Sequence, residues 1–570
     1  MKLDPMRPLM VQSDYTVLFE VHHPDFEEVR GSLTRFAELV KSPENVHTYR
    51  ITPLSLWNAA AAGMQSEEIV KFLERNSKFG LPAAVQSGIR KYITRFGLLR
   101  LEQVGHELYL VSEDTVILKE LAAFDRLRSY LKNARGDRAV AVKHSDRGIL
   151  KQELTRMGYP VQDLAGYHEG ERLEIPLNER IQSFQLRDYQ RSAVDSFYQM
   201  GNMLSGSGVL VLPCGAGKTV IGIAAMTRLH CATLILTTNV TSVRQWKREI
   251  LEKTGLTEEQ VGEYNGSKKE VRPVTIATYQ ILTQRKTKND DFSHMRLFNE
   301  RDWGLIIYDE VHLLPAPVFR ATAHIQATRR LGLTATLVRE DGREDDVFSL
   351  VGPKRYDIPW KDLEDKGWIA RVECKEIRIS LSPASKEQYA ASDAKQKFRI
   401  AGENPHKLQA IGLLLKRHSG EPTIIIGQYL AQLHQIAGFT GAPMISGEMP
   451  HDERERLYNQ FKSGVLHLLV VSKVANFAVD LPDAAVAIQV SGSYGSRQEE
   501  AQRLGRILRP KAGVNRAFFY SMISADTKEQ DFAMKRQLFL IEQGYRYEIE
   551  EWDKFLLEHM EEGYELQTDC

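Results

Sequence analysis

The chain has 570 residues, room for about three to five domains at roughly 100–200 residues each. Hydrophobic residues make up 42% and charged residues 26%, ordinary globular usage that excludes a disordered, collagen-like or coiled-coil chain. Lys+Arg and Asp+Glu are equal at 75 each, which excludes a globally basic nucleic-acid coat but not a local basic groove.

No apolar run approaches the roughly 18 residues of a membrane helix. The start, MKLDPMRPLMVQSDY, has no continuous apolar region of the secretory type. Four cysteines without CxxC or Cys/His spacing argue against a disulfide framework or a structural zinc, and Cys570 reads as a free thiol. The expectation is a soluble, cytoplasmic, multidomain protein.

Residues 1–95 read as a helical domain. ITPLSLWNAAAAG (51–63) stops at Gly63, Ser66 can cap the next helix, and PAAVQSGIRKYITRFG (82–97) runs from Pro to Gly. LLRLEQ and ELYLVS follow as two strands, so three helices and a hairpin suggest a winged-helix-like arrangement. Residues 96–178 read as a small α/β domain, with strands at 108–112 and 138–144 and a polar connector at 165–180. His22, His23 and His47 are scattered and read as surface or packing residues.

From 181 onward, short apolar strands alternate with helical sequence: VLVLP, ATLILTT, VTIATY, WGLIIYDEV and RRLGLTAT. The pattern repeats with PTIIIGQY, LHLLVVSK, AAVAIQV and NRAFFYS. Strict alternation predicts a doubly wound parallel sheet, here twice in tandem, over 179–368 and 369–570. The closing segment 550–565 is amphipathic and reads as either a closing helix or a docking segment.

LPCGAGKT (212–219) follows a strand and precedes an apolar helix, the context of a phosphate-binding loop. Cys214, Gly215, Ala216 and Gly217 would wrap the phosphates with backbone N–H groups. Lys218 would reach the β/γ-phosphates, and the Thr219 hydroxyl would hold Mg²⁺. Leu212 stands where the general motif has its first Gly, and a small space-filling role suits Cys214. YDEVH (308–312) ends another apolar strand. Asp309 would bind the Mg²⁺ shell, and Glu310 would orient the attacking water as general base. In QRLGRILRP (502–510), Arg503, Arg506 and Arg509 recur every third residue near one helix face. Arg506 and Arg509 are the arginine-finger candidates of an ATPase.

Together LPCGAGKT, DEVH, LTAT (333–336) and QRLGRILR resemble motifs I, II, III and VI of superfamily 2 helicases. LRDYQ (186–190) resembles the glutamine motif that precedes the phosphate loop there. By that resemblance Gln190 reads the adenine edge with support from Arg187, and Gln502 joins the nucleotide site. LGLTATLVREDGREDDVFSLVGPKRY (331–356), with Arg339, Glu340 and Asp341 as the RED motif, is similar to the XPB family, which acts in nucleotide excision repair and transcription initiation. NRAFFYSMISADTKEQDFAMKRQLFLIEQGY (515–545) is also similar to that family, and the segments around 11–26 and 46–63 resemble the N-terminal domain of its bacterial members. Residues 96–178 sit where the family carries a damage-recognition-like domain.

The resemblance implies two RecA-like domains holding ATP and Mg²⁺ between them, 3′→5′ movement on DNA, and a role in DNA repair. It places Asp480 between nucleotide and strand sites, and makes Thr334, Thr336 and His312 relays of closure. Strand contacts would come from Thr238, Gln245, Trp246, Thr278, Gly427, Gln428, Ser472 and Lys473; Trp246 suits the core better than base stacking. Motif V (SKVANFAVDLP, 472–482) has Ala475 and Asn476 where eukaryotic members have Gly-Asp, a lineage difference. The thumb is short, within SKEQYAASDAKQKFRI (385–400), and the long tails of eukaryotic members are missing.

The reading is a DNA-dependent ATPase and helicase acting on single-stranded, forked or damaged DNA, with a nuclease or other repair protein as possible partner and a nucleoid-associated location in a bacterium. Its rivals are a duplex translocase without unwinding and an ATP-driven assembly factor stimulated by a protein.

Overall fold

The computed structural model describes residues 4–43, 45–177, 185–198, 206–285, 292–326, 328–337, 342–472, 484–492, 504–505 and 515–561. The chain divides into two compact units, Met1–Leu212 with Gly217–Asp357, and Pro213–Ala216 with Ile358–Cys570. Among the described residues, no helix is long and apolar enough to cross a membrane.

The first unit opens with β1 (Leu9–Val11), β2 (Thr16–Glu20), β3 (Glu38–Lys41) and β4 (Val46–Arg50), an antiparallel sheet in the order β1-β2-β4-β3. The helical reading of residues 1–95 left this sheet out. Its strands are only 3–5 residues long, and most alternate buried with half-buried positions, so Val17, Phe19 and Tyr49 face inward. Three helices follow, Pro53–Ala61, Ser66–Asn76 and Ala83–Arg95. Gly63 and Gly97 adopt φ of +92° and +93° just past two of them. Ser66 is the first helical residue; Gln65 occupies the cap position, without a side-chain bond.

The hairpin β5 (Leu99–Val104) and β6 (Glu107–Val111) does not form a wing beside those helices. It joins β7 (Leu131–Ala134), β8 (Ala139–Val142) and β9 (Val161–Asp163) in one sheet, ordered β7-β8-β6-β5-β9. The Arg147–Arg156 helix closes this module over a buried ion cluster. Arg147 grips Asp163 with Nε and Nη2 at 3.0 and 2.7 Å, and Lys151 Nζ reaches the same carboxylate at 2.8 Å. Burial alone would raise the Asp163 pKa; Lys151 and Arg147 outweigh it and hold the carboxyl well below its ordinary value.

Seven parallel strands form the next sheet: β10 (Ser207–Val211), β11 (Thr233–Thr237), β12 (Val261–Tyr264), β13 (Val274–Thr278), β14 (Leu305–Asp309), β15 (Arg329–Thr334) and β16 (Lys354–Asp357). Their order is β12-β13-β11-β14-β15-β10-β16. β10, β11 and β13 are buried along their whole length, as both-faced parallel strands must be, and this makes them readable as apolar runs. The two amino-terminal modules dock on this domain through the Glu344–Leu350 helix. Gln152 and Arg156 donate to Asp346 at 2.5 and 3.2 Å. Trp57 and Phe96 pack on Phe348, and Asn58 accepts the Lys354 N–H at 2.9 Å. Gly148 permits the close approach, because a Cβ there would lie 2.3 Å from the Ala323 carbonyl oxygen.

The second unit carries the other seven-stranded parallel sheet: β17 (Arg371–Ile379), β18 (Thr423–Gly427), β19 (Met444–Ile445), β20 (Leu468–Ser472), β21 (Val486–Gln489), β22 (Arg516–Ser524) and β23 (Tyr547–Glu551). The order is β19-β20-β18-β21-β22-β17-β23. The stretch Ile358–Cys570 of this unit also takes in the Trp360–Asp365 helix. The segment 385–400, read from the sequence as a short thumb, lies within two helices, Pro383–Ala391 and Ala394–Gly402. At the carboxyl end, β23 and the Trp552–Glu561 helix complete the fold, with Trp552 and Phe555 in the core.

Asp163→Asn should lower stability by about 3–5 kcal/mol, because it strands two buried cations; chemical denaturation checks this. The depressed carboxylate also sets a pH sign: its contribution is present above the ordinary value of 3.8 and disappears as pH falls below it. The variant should therefore show a shallower acid-unfolding slope than the parent.

Candidate nucleotide site

β15 lies between β10 and β14, so the strand that feeds LPCGAGKT and the strand that ends in Asp309 are roughly 10 Å apart. Register keeps their ends level: Val211 pairs with Thr334, and Asp309 with Leu333. The Leu212 N–H donates to the Thr334 carbonyl at 2.9 Å, extending β10 to the edge of the loop.

Gly215 and Gly217 have φ of +81° and +78°. Gly217 caps the Lys218–Leu229 helix, whose first backbone N–H groups make an anion-binding end. A Cβ at 217 would lie 2.7 Å from Gln190 Nε2. Gln190 therefore sits against the phosphate loop, and its Oε1 accepts the Arg187 N–H at 3.0 Å. Arg187 in turn donates to the Tyr189 hydroxyl at 3.2 Å. Ala216 is buried and its N–H bonds the Pro213 carbonyl at 3.2 Å; Cys214 and Thr219 are half-buried.

Lys218 Nζ stands 3.4 Å from Glu310 Oε1. Glu310 takes the left-handed conformation, φ +50° and ψ +55°. That costs an L-residue roughly 1–2 kcal/mol, and such strain is concentrated at functional sites. His312 Nδ1 lies 3.5 Å from Glu310 Oε2 and 2.7 Å from Thr334 Oγ1. The Thr334 hydroxyl donates to the Thr336 carbonyl at 2.5 Å, so it accepts from His312, which sets the proton on Nδ1. DEVH and LTAT are thus one hydrogen-bonded unit.

Asp309 is fixed from two sides. The Trp246 indole N–H donates to Oδ2 at 3.0 Å, and the Tyr279 hydroxyl donates to the Asp309 carbonyl at 2.8 Å. Burial and the neighbouring Glu310 carboxylate push Asp309 up to about 6. Glu310 is also raised by burial, yet Lys218 and His312 outweigh this and hold it below the ordinary carboxylate value. Two carboxylates face one lysine, and the available donors are oxygens, with the Thr219 hydroxyl beginning the adjacent helix. This donor set suits Mg²⁺, which takes one or two carboxylates plus phosphate and water.

Three expected strand contacts have their side chains inside the protein: Trp246, Thr278 and Ser472 are 1%, 2% and 3% exposed. They are corrected to internal residues. The Thr278 hydroxyl caps the short Tyr279–Leu282 helix, and Trp246 holds Asp309. Thr238 is half-buried and accepts from Asn239 at 3.0 Å; Gln245 donates to Glu249 at 3.0 Å. Gly427 ends β18, and the Gln428 N–H donates to Ser491 Oγ at 2.8 Å. Arg339, Glu340, Asp341, Lys473, Asp480, Gln502, Arg506 and Arg509 lie outside the described residues. Tyr279 escaped the sequence reading, although an aromatic directly after Thr278 at a strand end was a visible signal.

Gly217→Ala should weaken nucleotide binding about tenfold. The left-handed φ costs roughly 1–2 kcal/mol, and the new methyl displaces Gln190. Equilibrium binding of a fluorescent ATP analogue checks this.

Residues 363–567 match the ERCC3/RAD25/XPB C-terminal helicase family, residues 183–339 the type III restriction enzyme res subunit, and residues 9–135 a helicase conserved C-terminal domain. The DNA 3'-5' helicase XPB of Kineococcus radiotolerans is 52% identical over 547 residues, covering 96% of this chain and 97% of that one. The protein of the same description from Mycobacterium tuberculosis is 51% identical over 550 residues, 96% and 98% of the two chains. The general transcription and DNA repair factor IIH helicase/translocase subunit XPB of Enterocytozoon bieneusi is 33% identical over 564 residues, 95% and 92%. With the glycine-rich loop, the acid pair and the His312–Thr334 hydrogen bond on one edge of a parallel sheet, and relatives matching almost end to end, the chain belongs to the XPB family of ATP-dependent DNA 3'-5' helicases.

Proposed function

We propose that ATP hydrolysis at this site follows a hand-over of Lys218. What carries the reading is the 3.4 Å Lys218–Glu310 pair at the carboxyl edge of the sheet. Glu310 pairs with the lysine, and the Lys218 charge lowers the basicity of that carboxylate. The β/γ-phosphates of ATP then draw Lys218 away, as expected for a phosphate-loop lysine. Glu310 is left with His312 beside it, ready to orient a water and take its proton. Thr219 and Asp309 would hold Mg²⁺, which supplies charge neutralisation to the phosphates when bound. The His312–Thr334–Thr336 chain would report the state of Glu310 to the segment that carries Arg339, Glu340 and Asp341. Arg506 and Arg509 are assigned by motif as the cations that neutralise the γ-phosphate, and Asp480 and Gln502 as their companions.

The proposed setting is DNA repair, on single-stranded, forked or damaged DNA. The Enterocytozoon relative supports this, being a subunit of a general transcription and DNA repair factor. A bacterial cytoplasm with nucleoid association, and a nuclease or other repair protein as partner, are proposed with it. Thr238, Gln245, Gly427, Gln428 and Lys473 remain proposed strand contacts, through side chains or backbone N–H groups. A second reading, duplex translocation without strand separation, is favoured by the small size of the Pro383–Gly402 helical pair.

Steady-state hydrolysis with and without single-stranded DNA, at one stated salt, tests the first part. DNA should stimulate the parent, and Glu310→Gln should lose roughly a hundred- to ten-thousand-fold in kcat with DNA present. Full activity in that variant would remove Glu310 from the base role. Strand displacement from a forked duplex then separates helicase from translocase.

A further inference from the structure

Trp246 does more than fill space. It lies on the Val240–Lys253 helix and is 1% exposed. Its ring occupies a slot against the phosphate-loop helix that exists because residue 222 is glycine. A Cβ there would meet the indole Cη2 at 2.5 Å and Cζ3 at 3.1 Å, with Leu333 Cδ1 at 3.4 Å on the same spot. Gly222 is one helical turn beyond Lys218, so the indole spans the gap between the lysine-bearing helix and the strand that ends in Asp309.

A phenylalanine or leucine would fill that slot with apolar surface alone. What the indole adds is an N–H, and a buried indole N–H needs a partner. Its partner is Oδ2 of Asp309, 3.0 Å away. The Tyr279 hydroxyl holds the backbone of the same residue at 2.8 Å. Backbone and one carboxylate oxygen are thereby pinned, which fixes the direction of the second oxygen.

We propose that Trp246 is a positioning residue for magnesium binding: its N–H holds one oxygen of Asp309 so that the other is presented to the Mg²⁺ that accompanies ATP. The proposal rests on the reading of Asp309 as a metal-shell ligand. Donors that orient a metal's carboxylate ligand are worth about 10–100-fold in metal affinity or activity, and hydrogen bonds to a charged acceptor are the strong class.

The test uses the full chain and Trp246→Phe, which keeps an aromatic ring in the slot and removes the N–H. Binding of a fluorescent, non-hydrolysable ATP analogue is measured across a Mg²⁺ titration. The Mg²⁺ concentration for half-maximal gain in affinity should rise about tenfold or more, while affinity without Mg²⁺ and the melting midpoint stay near the parent's. In steady state, the variant's deficit should shrink as Mg²⁺ is raised, with KM for ATP little changed at saturating Mg²⁺. Gly222→Ala, which keeps the indole but crowds it, should shift the Mg²⁺ midpoint the same way.

Asp309→Asn separates the two ways of failing. If it shifts the Mg²⁺ midpoint and Trp246→Phe does not, the positioning role is overturned and the metal reading stands. If Asp309→Asn leaves the midpoint unchanged, the metal reading falls and takes the proposal with it. Loss of nucleotide affinity in Trp246→Phe to the same extent with and without Mg²⁺ would show packing alone, and would also overturn it.

Discussion

The level ending of β10, β15 and β14 is the constraint on which the site depends. Parallel pairing of Val211 with Thr334 and of Leu333 with Asp309 brings three chain segments to one edge. Each segment leaves that edge with a different duty: a loop for phosphates, a pair of carboxylates, and a threonine pair. Parallel strands buried on both faces cannot slip in register without exposing apolar side chains. The spacing of these groups is therefore inherited from the core.

Electrostatics on that edge are deliberately unbalanced. Asp309 and Glu310 are adjacent anions, and Lys218 is the cation that faces Glu310. Burial and like charge raise Asp309, while Lys218 and His312 hold Glu310 down. The two acids are thus driven apart in character, the pattern expected where one binds a cation and the other handles a proton. Trp246 and Tyr279 bond the first acid, while Lys218 and His312 stand 3.4 and 3.5 Å from the carboxylate of the second. The same unit ties its amino-terminal modules to the Glu344–Leu350 helix, which follows directly on the segment bearing Arg339, Glu340 and Asp341.

Much of this was legible in the sequence, for a physical reason. Central parallel strands such as β10 and β11 are continuous apolar runs, and LPCGAGKT and YDEVH sit at their ends, where a doubly wound sheet puts ligand chemistry. Edge strands were harder. β16, β19 and β23 are short or carry polar, partly exposed residues, and β12, though buried, has only four residues with Gly262 and Glu263 among them. The sheet of residues 9–50 was missed for a related reason: strands of 3–5 residues with one inward face look like loop sequence between helices. Trp246 is a third case. The family resemblance placed it among the strand contacts while its residue type suited the core, and adjacency along the chain could not reveal that Gly222, 24 positions earlier, had cleared a slot for its ring.

The central claim is that Glu310 and the phosphates of ATP compete for Lys218. Equilibrium affinity for ATP, measured for the parent, Glu310→Gln and Lys218→Ala, tests it most directly. The account predicts that Glu310→Gln binds ATP at least as tightly as the parent, because the competing carboxylate charge has gone, and that Lys218→Ala binds far more weakly. Weaker binding by Glu310→Gln, comparable to the loss in Lys218→Ala, would contradict it and make the pair a structural prop of the loop.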